Sequence, residues 1–223
     1  MKYRVLFNIA RAFILSLIIT FATASFSPAA NPGKSTRPAH KRVITVSLLS
    51  DQAAPVPKAL ILDLISAASA EYQDMVNIEL KVIEFIPYPG DLTLHPMDQA
   101  FLLSRLETRG EIRIIFSNRS GRNENQIAAD SEEKNTLAGA SHPYFGHVII
   151  YDVEGRTTKT DRAGNPALLT VIKHEIAHLF GVSHSSDPDS FMSTPSSLSH
   201  GRWTDETIQQ ILKQRRKRWF PNK

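Results

Sequence analysis

The order of patterns along the 223 residues predicts a mixed α/β (or α+β) domain. Three observations carry that prediction. Short runs of alternating apolar and polar residues, rich in β-branched types, are separated by stretches with apolar residues at helical spacing. No internal stretch is long and apolar enough to cross a bilayer. The chain has no cysteine, so an apolar core must hold it together, for which about 200 residues suffice.

Taken in order, Arg42 to Leu49 has the β-branched content of a strand. Pro57 then suits the first turn of a helix through KALILDLISAASAEYQDM. From Ile78, IELKVIEFI alternates like a half-buried strand, and HPMDQAFLLSRLETRG reads as a shorter helix ending at Gly110. EIRIIFS, from Glu111, is the next strand. Residues 117–136 are polar throughout, a length of loop that is more often functional than idle. LAGASHP and the run from His147 to Val153 read as two further strands. Pro166 opens a helix through ALLTVIKHEIAHLF, which Gly181 stops, and a last helix begins at Thr204 or Asp205 and runs through WTDETIQQILKQRRKRW.

The N-terminal end differs from the rest. Lys2, Arg4 and Arg11 precede an apolar run from Ala12 to Ala22, and Ala22-Thr23-Ala24 supplies small residues at signal-peptidase spacing. Residues 1–24 are therefore expected to be a secretory signal peptide, with an uncleaved anchor as the alternative. Residues 25–41, rich in Pro, Ser and Ala, read as a flexible linker or short pro-segment, and residues 42–223 as the folded domain. The expected location is outside the cytoplasm, extracellular or periplasmic. The formal charge of +4 falls to about +1 without the signal, so it does not argue for a nucleic-acid partner. The basic cluster from Lys213 to Arg218 reads as the solvated last turns of a helix.

The densest chemistry lies in HEIAHLFGVSH, residues 174–184. Residues i and i+4 share a helix face, so His174 and His178 can point two imidazoles at one ion. Glu175, one step around, can reach a water at that ion without being a ligand. Two histidines alone would be moderate support. Gly181 can adopt a positive φ, end the helix and turn the chain so that His184 arrives as a third ligand. Three protein ligands with a position left for water describe a catalytic zinc site, and without cysteine such a site must use histidine or carboxylate. The opposing reading is an exposed helix face that happens to carry histidines. Leu169, Ile172, Ile176 and Leu179 mark the core-facing stripe, and the histidines fall to one side of it, as a cleft wall would.

HEIAHLFGVSH followed by SSDPDSFM resembles the metzincin clan of zinc peptidases, and within it the matrixins (matrix-metalloproteinase-like). Ser185 directly after the third histidine, and Ser186-Asp187-Pro188 leading to Met192, are the features of that branch. LAGASHP and YDVEG are similar to the family's substrate-side edge strand and the acidic segment after it. The resemblance implies a twisted mixed sheet with an antiparallel edge strand, an active-site helix, a Met-turn and a C-terminal helix. It implies His174, His178 and His184 as zinc ligands, Glu175 as general base and acid, and Met192 as the floor of the site. Ala138, Gly139, Ala140 and Ser141 are the positions whose backbone would pair with an extended peptide substrate. Asp152 and Glu154 are the residues offered to a calcium ion, against an ordinary surface turn. The chain also departs from the family. Gly139 and Ile150 stand where structural-zinc histidines are found, so one zinc ion is expected, not two. Ser193-Thr194-Pro195 follows the methionine in place of Tyr-Pro, and the thiol latency switch is impossible without cysteine.

The function expected from these residues is that of a secreted, monomeric zinc endopeptidase acting on protein or peptide substrates. Zinc would activate water, and Glu175 would take its proton and return it to the leaving amine. Two alternatives stand beside it: a non-peptidase zinc hydrolase on the same triad, and a secreted binding or toxin-like module whose cleft only recognises a partner.

Overall fold

The computed structural model describes residues 40–90, 92, 96–119, 138–161, 164, 166–193 and 201–219. All of them lie in one unit that runs from Arg37 to Lys223. The expected signal peptide, most of the linker and nearly all of the polar loop lie outside the described residues.

Among the described residues ten elements follow one another: β1 Arg42–Asp51, α1 Lys58–Val76, β2 Ile78–Tyr88, α2 Pro96–Ser104, β3 Ile112–Phe116, β4 Gly139–His142, β5 His147–Ile150, α3 Val153–Thr157, α4 Ala167–Leu179 and α5 Asp205–Gln214. The strands form one sheet in the order β2-β1-β3-β5-β4. The first four of these run parallel, and β4 alone is antiparallel, at the edge beside β5. The mixed sheet with an antiparallel edge strand is thus as the resemblance implied. In β2 the partner of β1 jumps from Val82 to Glu84, a bulge that leaves Ile83 unpaired.

Each sheet face has its own core. Ile44, Val46 and Leu48 of β1 and Ile112, Ile114 and Phe116 of β3 point to the larger one, where α1 and α4 pack. Helix α1 presents Ile61, Ile65, Ala68, Tyr72 and Val76 to it, at the three- and four-residue spacing that keeps one face inward. It ends at Asn77, whose φ of 54° is the left-handed geometry that asparagine tolerates at a C-cap. The opposite face carries Leu49, Ile115 and Ile149 and is covered by Leu103 of α2 with Tyr88 and Tyr151. Strands β3 and β5 are buried at every residue, as central strands of a parallel sheet must be.

Three element boundaries differ from expectation. Strand β5 stops at Ile150, and the short helix α3 replaces its last residues, because Asp152 takes φ 51° and turns the chain. Helix α2 stops at Ser104, well before Gly110. Helix α5 stops at Gln214 with Lys213 exposed in its last turn, and of the basic residues after it Arg216 and Arg218 are exposed while Arg215 and Lys217 turn inward. Arg215 donates to the carbonyls of His40 and Asn77, Lys217 to that of Leu179, and the Trp219 indole to that of Pro143. Tertiary acceptors outcompete the next helical turn. The N-terminal end of α5 is as read, with the Thr204 side chain accepting from the Thr207 N–H.

Candidate metal centre

Helix α4 positions the site. Ten of its thirteen residues are buried, from Leu168 to Leu179, so it runs through the molecule with little freedom to shift. Its C-terminal end is a Schellman motif: Gly181 N–H bonds the His178 carbonyl and Val182 N–H that of Ala177. Gly181 supplies the required positive φ, +79°. The reversal brings the Val182 carbonyl back over the helix and delivers His184 beside the two helical histidines.

The three imidazoles converge. His178 Nε2 lies 3.0 Å from His174 Nε2 and 3.2 Å from His184 Nε2. Among the described residues these three side chains are the group of histidines and acids whose donor atoms all lie within 4.8 Å of one another. Tetrahedral zinc with nitrogen at about 2.0–2.1 Å sets its ligand atoms roughly 3.3 Å apart, so the spacing suits a small ion. The outer ring nitrogens support the same conclusion. His174 Nδ1 lies 2.9 Å from the Phe191 carbonyl and His178 Nδ1 2.6 Å from that of Val182. A carbonyl only accepts, so each Nδ1 carries the proton and each Nε2 presents a lone pair to the shared centre. Burial pushes His174 down to about 4 and lowers His178 as well, so both are neutral near pH 7. Lone pairs facing one another at about 3 Å are repulsive unless a cation lies between them. The donor set fits zinc.

Glu175 leaves α4 towards β4, where it is buried. Burial pushes its carboxyl up to about 8, the Ser141 hydroxyl acts the other way, and a cation held by the three imidazoles would lower it further towards the carboxylate that a base requires. Gly139 and Ser141 face the helix together because strand residues two apart share a side. Ala140 faces the other way, against the second core. Ala138 lies just before β4, and its carbonyl accepts from Tyr151 N–H at 3.0 Å. Its carbonyl is therefore engaged within the sheet. The other three of the four expected substrate-side positions lie on the strand that forms the sheet edge.

Met192 is fully buried. Its carbonyl accepts from Ser185 N–H at 2.8 Å, and its N–H meets Ser190 Oγ at 3.1 Å. The turn is thereby fixed to the strand of chain that carries His184, and the carbonyl just before Met192 is the one that orients His174. Asp152 is 3.9 Å from Arg156, and Glu154 is exposed. Gly139 and Ile150 are register partners in β4 and β5 and offer no ligand for a second zinc.

Sequence reasoning missed the groups that hold the ligands. The Phe191 and Val182 carbonyls are backbone atoms and leave no mark in residue type. Lys173, next to the first ligand, is buried and pairs with Glu71 of α1 at 2.8 Å and with the Gly201 carbonyl at 3.1 Å. A lysine on the inward side of an otherwise apolar helix was a signal that could have been read.

Comparison with known proteins agrees with this geometry. The family model for matrixin matches residues 97–209, just over half of the chain. A search of the curated proteins finds no match. Among solved structures, archaemetzincin from Methanopyrus kandleri superposes with a TM-score of 0.57 at 11% identity, covering 81% of this chain and 99% of that one. A zinc-dependent peptidase from Methanocorpusculum labreanum gives a TM-score of 0.50 at 16% identity, covering 74% and 99%. At such identities the two structures speak for the fold alone, and the sequence match over residues 97–209 carries the family. The chain belongs to the matrixin family, zinc-dependent peptidases of the metzincin type.

Proposed function

We propose that this peptidase is exported, works as a monomer and cuts within extended peptides, with Glu175 as general base. The observation that carries the proposal is one helix presenting two of three convergent imidazoles and, one residue along, a carboxyl buried beneath the sheet's edge strand. Held by His174, His178 and His184, zinc would acidify water towards a pKa of about 7 and polarise the scissile carbonyl. Glu175 accepts the proton of the attacking water and passes it to the leaving amine, a contribution of about 10²–10⁴-fold. Among the described residues strand β4 has β5 on one side only, so its other edge can pair with a peptide backbone at any point along its length. That mode needs no chain end, which favours endopeptidase action. Export rests on the charged, apolar and small-residue pattern of residues 1–24. Among the described residues no helix is long and apolar enough to cross a membrane.

A peptide-library digest of the chain from residue 42 onwards, with and without a chelator, tests the proposal. Internal cleavage that the chelator stops and added zinc restores is expected. The Glu175→Ala variant should bind one zinc per chain and lose turnover by at least 10²-fold. Hydrolysis of non-peptide esters without peptide cleavage would favour the rival zinc hydrolase, and zinc binding without any turnover would favour a binding module. Full activity in Glu175→Ala would remove Glu175 from its role.

A further inference from the structure

We infer that Ser141 is a positioning residue for Glu175, and that Gly139 is the notch that allows it to act. The inference deepens the general-base reading of Glu175 and rests on it. Successive helix residues are about 100° apart, so a carboxylate next to His174 does not point at the histidines' shared centre unless something outside the helix aims it. Strand β4 is what it meets. A Cβ built at Gly139 would stand 2.6 Å from Glu175 Cγ, 2.8 Å from Oε1 and 2.9 Å from Cδ. All three are closer than real side chains approach, so the acid lies flat against bare backbone. Two residues further on the same face, Ser141 is placed to donate its hydroxyl to the carboxyl and counters the effect of burial on it.

A buried carboxylate has two oxygens to satisfy. One must face the reacting water if Glu175 is to take its proton, and the other then needs a donor from the protein. Ser141 is that donor. The bond fixes the rotamer of Glu175 and the oxygen it turns towards the cleft, and it ties this choice to the strand along which a peptide would lie. The opposing reading is structural, with Ser141 only fastening the edge strand to α4. The two readings differ in kinetics. A loosened strand weakens peptide binding and raises KM, whereas a misaimed base lowers kcat at unchanged KM.

The test uses the zinc-loaded chain on one library-derived peptide, with zinc affinity measured separately by chelator competition. Ser141→Ala is expected to lower kcat about 10- to 100-fold, the scale of a hydrogen bond to a charged group, with KM and zinc affinity within about twofold. Ser141→Thr keeps the hydroxyl on a β-branched side chain suited to a strand, and should recover most of kcat. Gly139→Ala should retain zinc and lose more kcat than Ser141→Ala, because it displaces the whole carboxyl. Glu175→Ala sets the floor. If that variant is inactive while Ser141→Ala keeps wild-type kcat, or raises KM alone, the positioning role is overturned and the general-base reading survives. If Glu175→Ala itself turns over normally, the general-base reading has failed.

Discussion

Gly181 and Gly201 both hold left-handed backbone, with φ of +79° and +64°, yet they should respond differently to alanine. Around Gly181 nothing lies within 4 Å of where a Cβ would stand. The substitution costs backbone strain alone, about 1–2 kcal/mol. At Gly201 the new Cβ would stand 2.3 Å from Asp161 Oδ2 and 3.0 Å from Thr170 Oγ1, and those two atoms already hydrogen-bond at 3.1 Å. Overpacking a buried carboxylate adds roughly another 1–3 kcal/mol. Urea unfolding of the two variants checks the order, and a Gly181→Ala variant costing as much as Gly201→Ala would sink the argument. The contrast also shows what the sequence made legible at this scale. Gly181 could be read as a helix stop because its reason is local, three residues after His178. The reason for Gly201 lies forty residues away, at Asp161, and no spacing rule reaches that far. Likewise the ligands could be named from HEIAHLFGVSH, whereas Ser141 and the Phe191 carbonyl, which orient Glu175 and His174, come from other parts of the chain.

Strand pairing builds a polar row that no single strand reveals. Arg113 of β3 is the register partner of His147 of β5, which in turn is paired with His142 of β4. His147 is fully buried, with Phe145 stacked at 5.7 Å and its Nε2 2.9 Å from Arg113 Nη1. Burial first, then the charges of Arg113 and His142, push His147 down from 6.5 to about 3. Between those values the unfolded chain binds a proton that the folded chain refuses, so stability rises with pH across the window. Above about pH 6.5 the group contributes no slope. Lowering the pH to 5 should cost on the order of 2 kcal/mol from this residue, and the whole window roughly 4–5. Chemical unfolding at pH 7 and pH 5 is the measurement, with His147→Phe as the reference because it keeps a buried ring. The variant should lose about that much of the pH dependence; an identical slope in both proteins would refute the assignment. Periodicity located every strand involved, with Arg113 the one charged residue in the otherwise apolar run of β3. It missed α3, because the turn at Asp152 depends on Gly155 leaving room for the aspartate carboxyl, which a Cβ there would meet at 2.3 Å.

Across the whole molecule, the segment after α5 acts as a strap. Arg215 reaches the Asn77 carbonyl at the end of α1, and Lys217 reaches the Leu179 carbonyl at the end of the zinc helix at 2.7 Å. Arg218 pairs with Glu111 ahead of β3 at 3.2 Å. Trp219 closes the path. Its indole donates to the Pro143 carbonyl at 3.1 Å, its ring meets Phe180 edge-on at 5.4 Å, and Gly146 leaves space for it in the β4–β5 turn. The composition of this segment invited a surface reading, because arginine and lysine usually face water. Here the heads of Arg215 and Lys217 satisfy backbone carbonyls at element ends, a use visible only once those ends are brought together. Trp219 therefore couples the end of α4 to the β4–β5 hairpin. Trp219→Ala should lower unfolding free energy by about 3–5 kcal/mol, as large-to-small changes in a core do. Trp219→Phe, which keeps the ring contact and loses one hydrogen bond, should cost about 1 kcal/mol. The hairpin is the part released, while His174 and His178 keep their backbone partners at Phe191 and Val182. Peptide KM should accordingly rise in Trp219→Ala at temperatures where the variant is still folded, with zinc affinity within about threefold of the parent. Zinc loss without a change in KM would place the strap's effect on the helix end instead of the hairpin, and an alanine variant as stable as the parent would show that no strap exists.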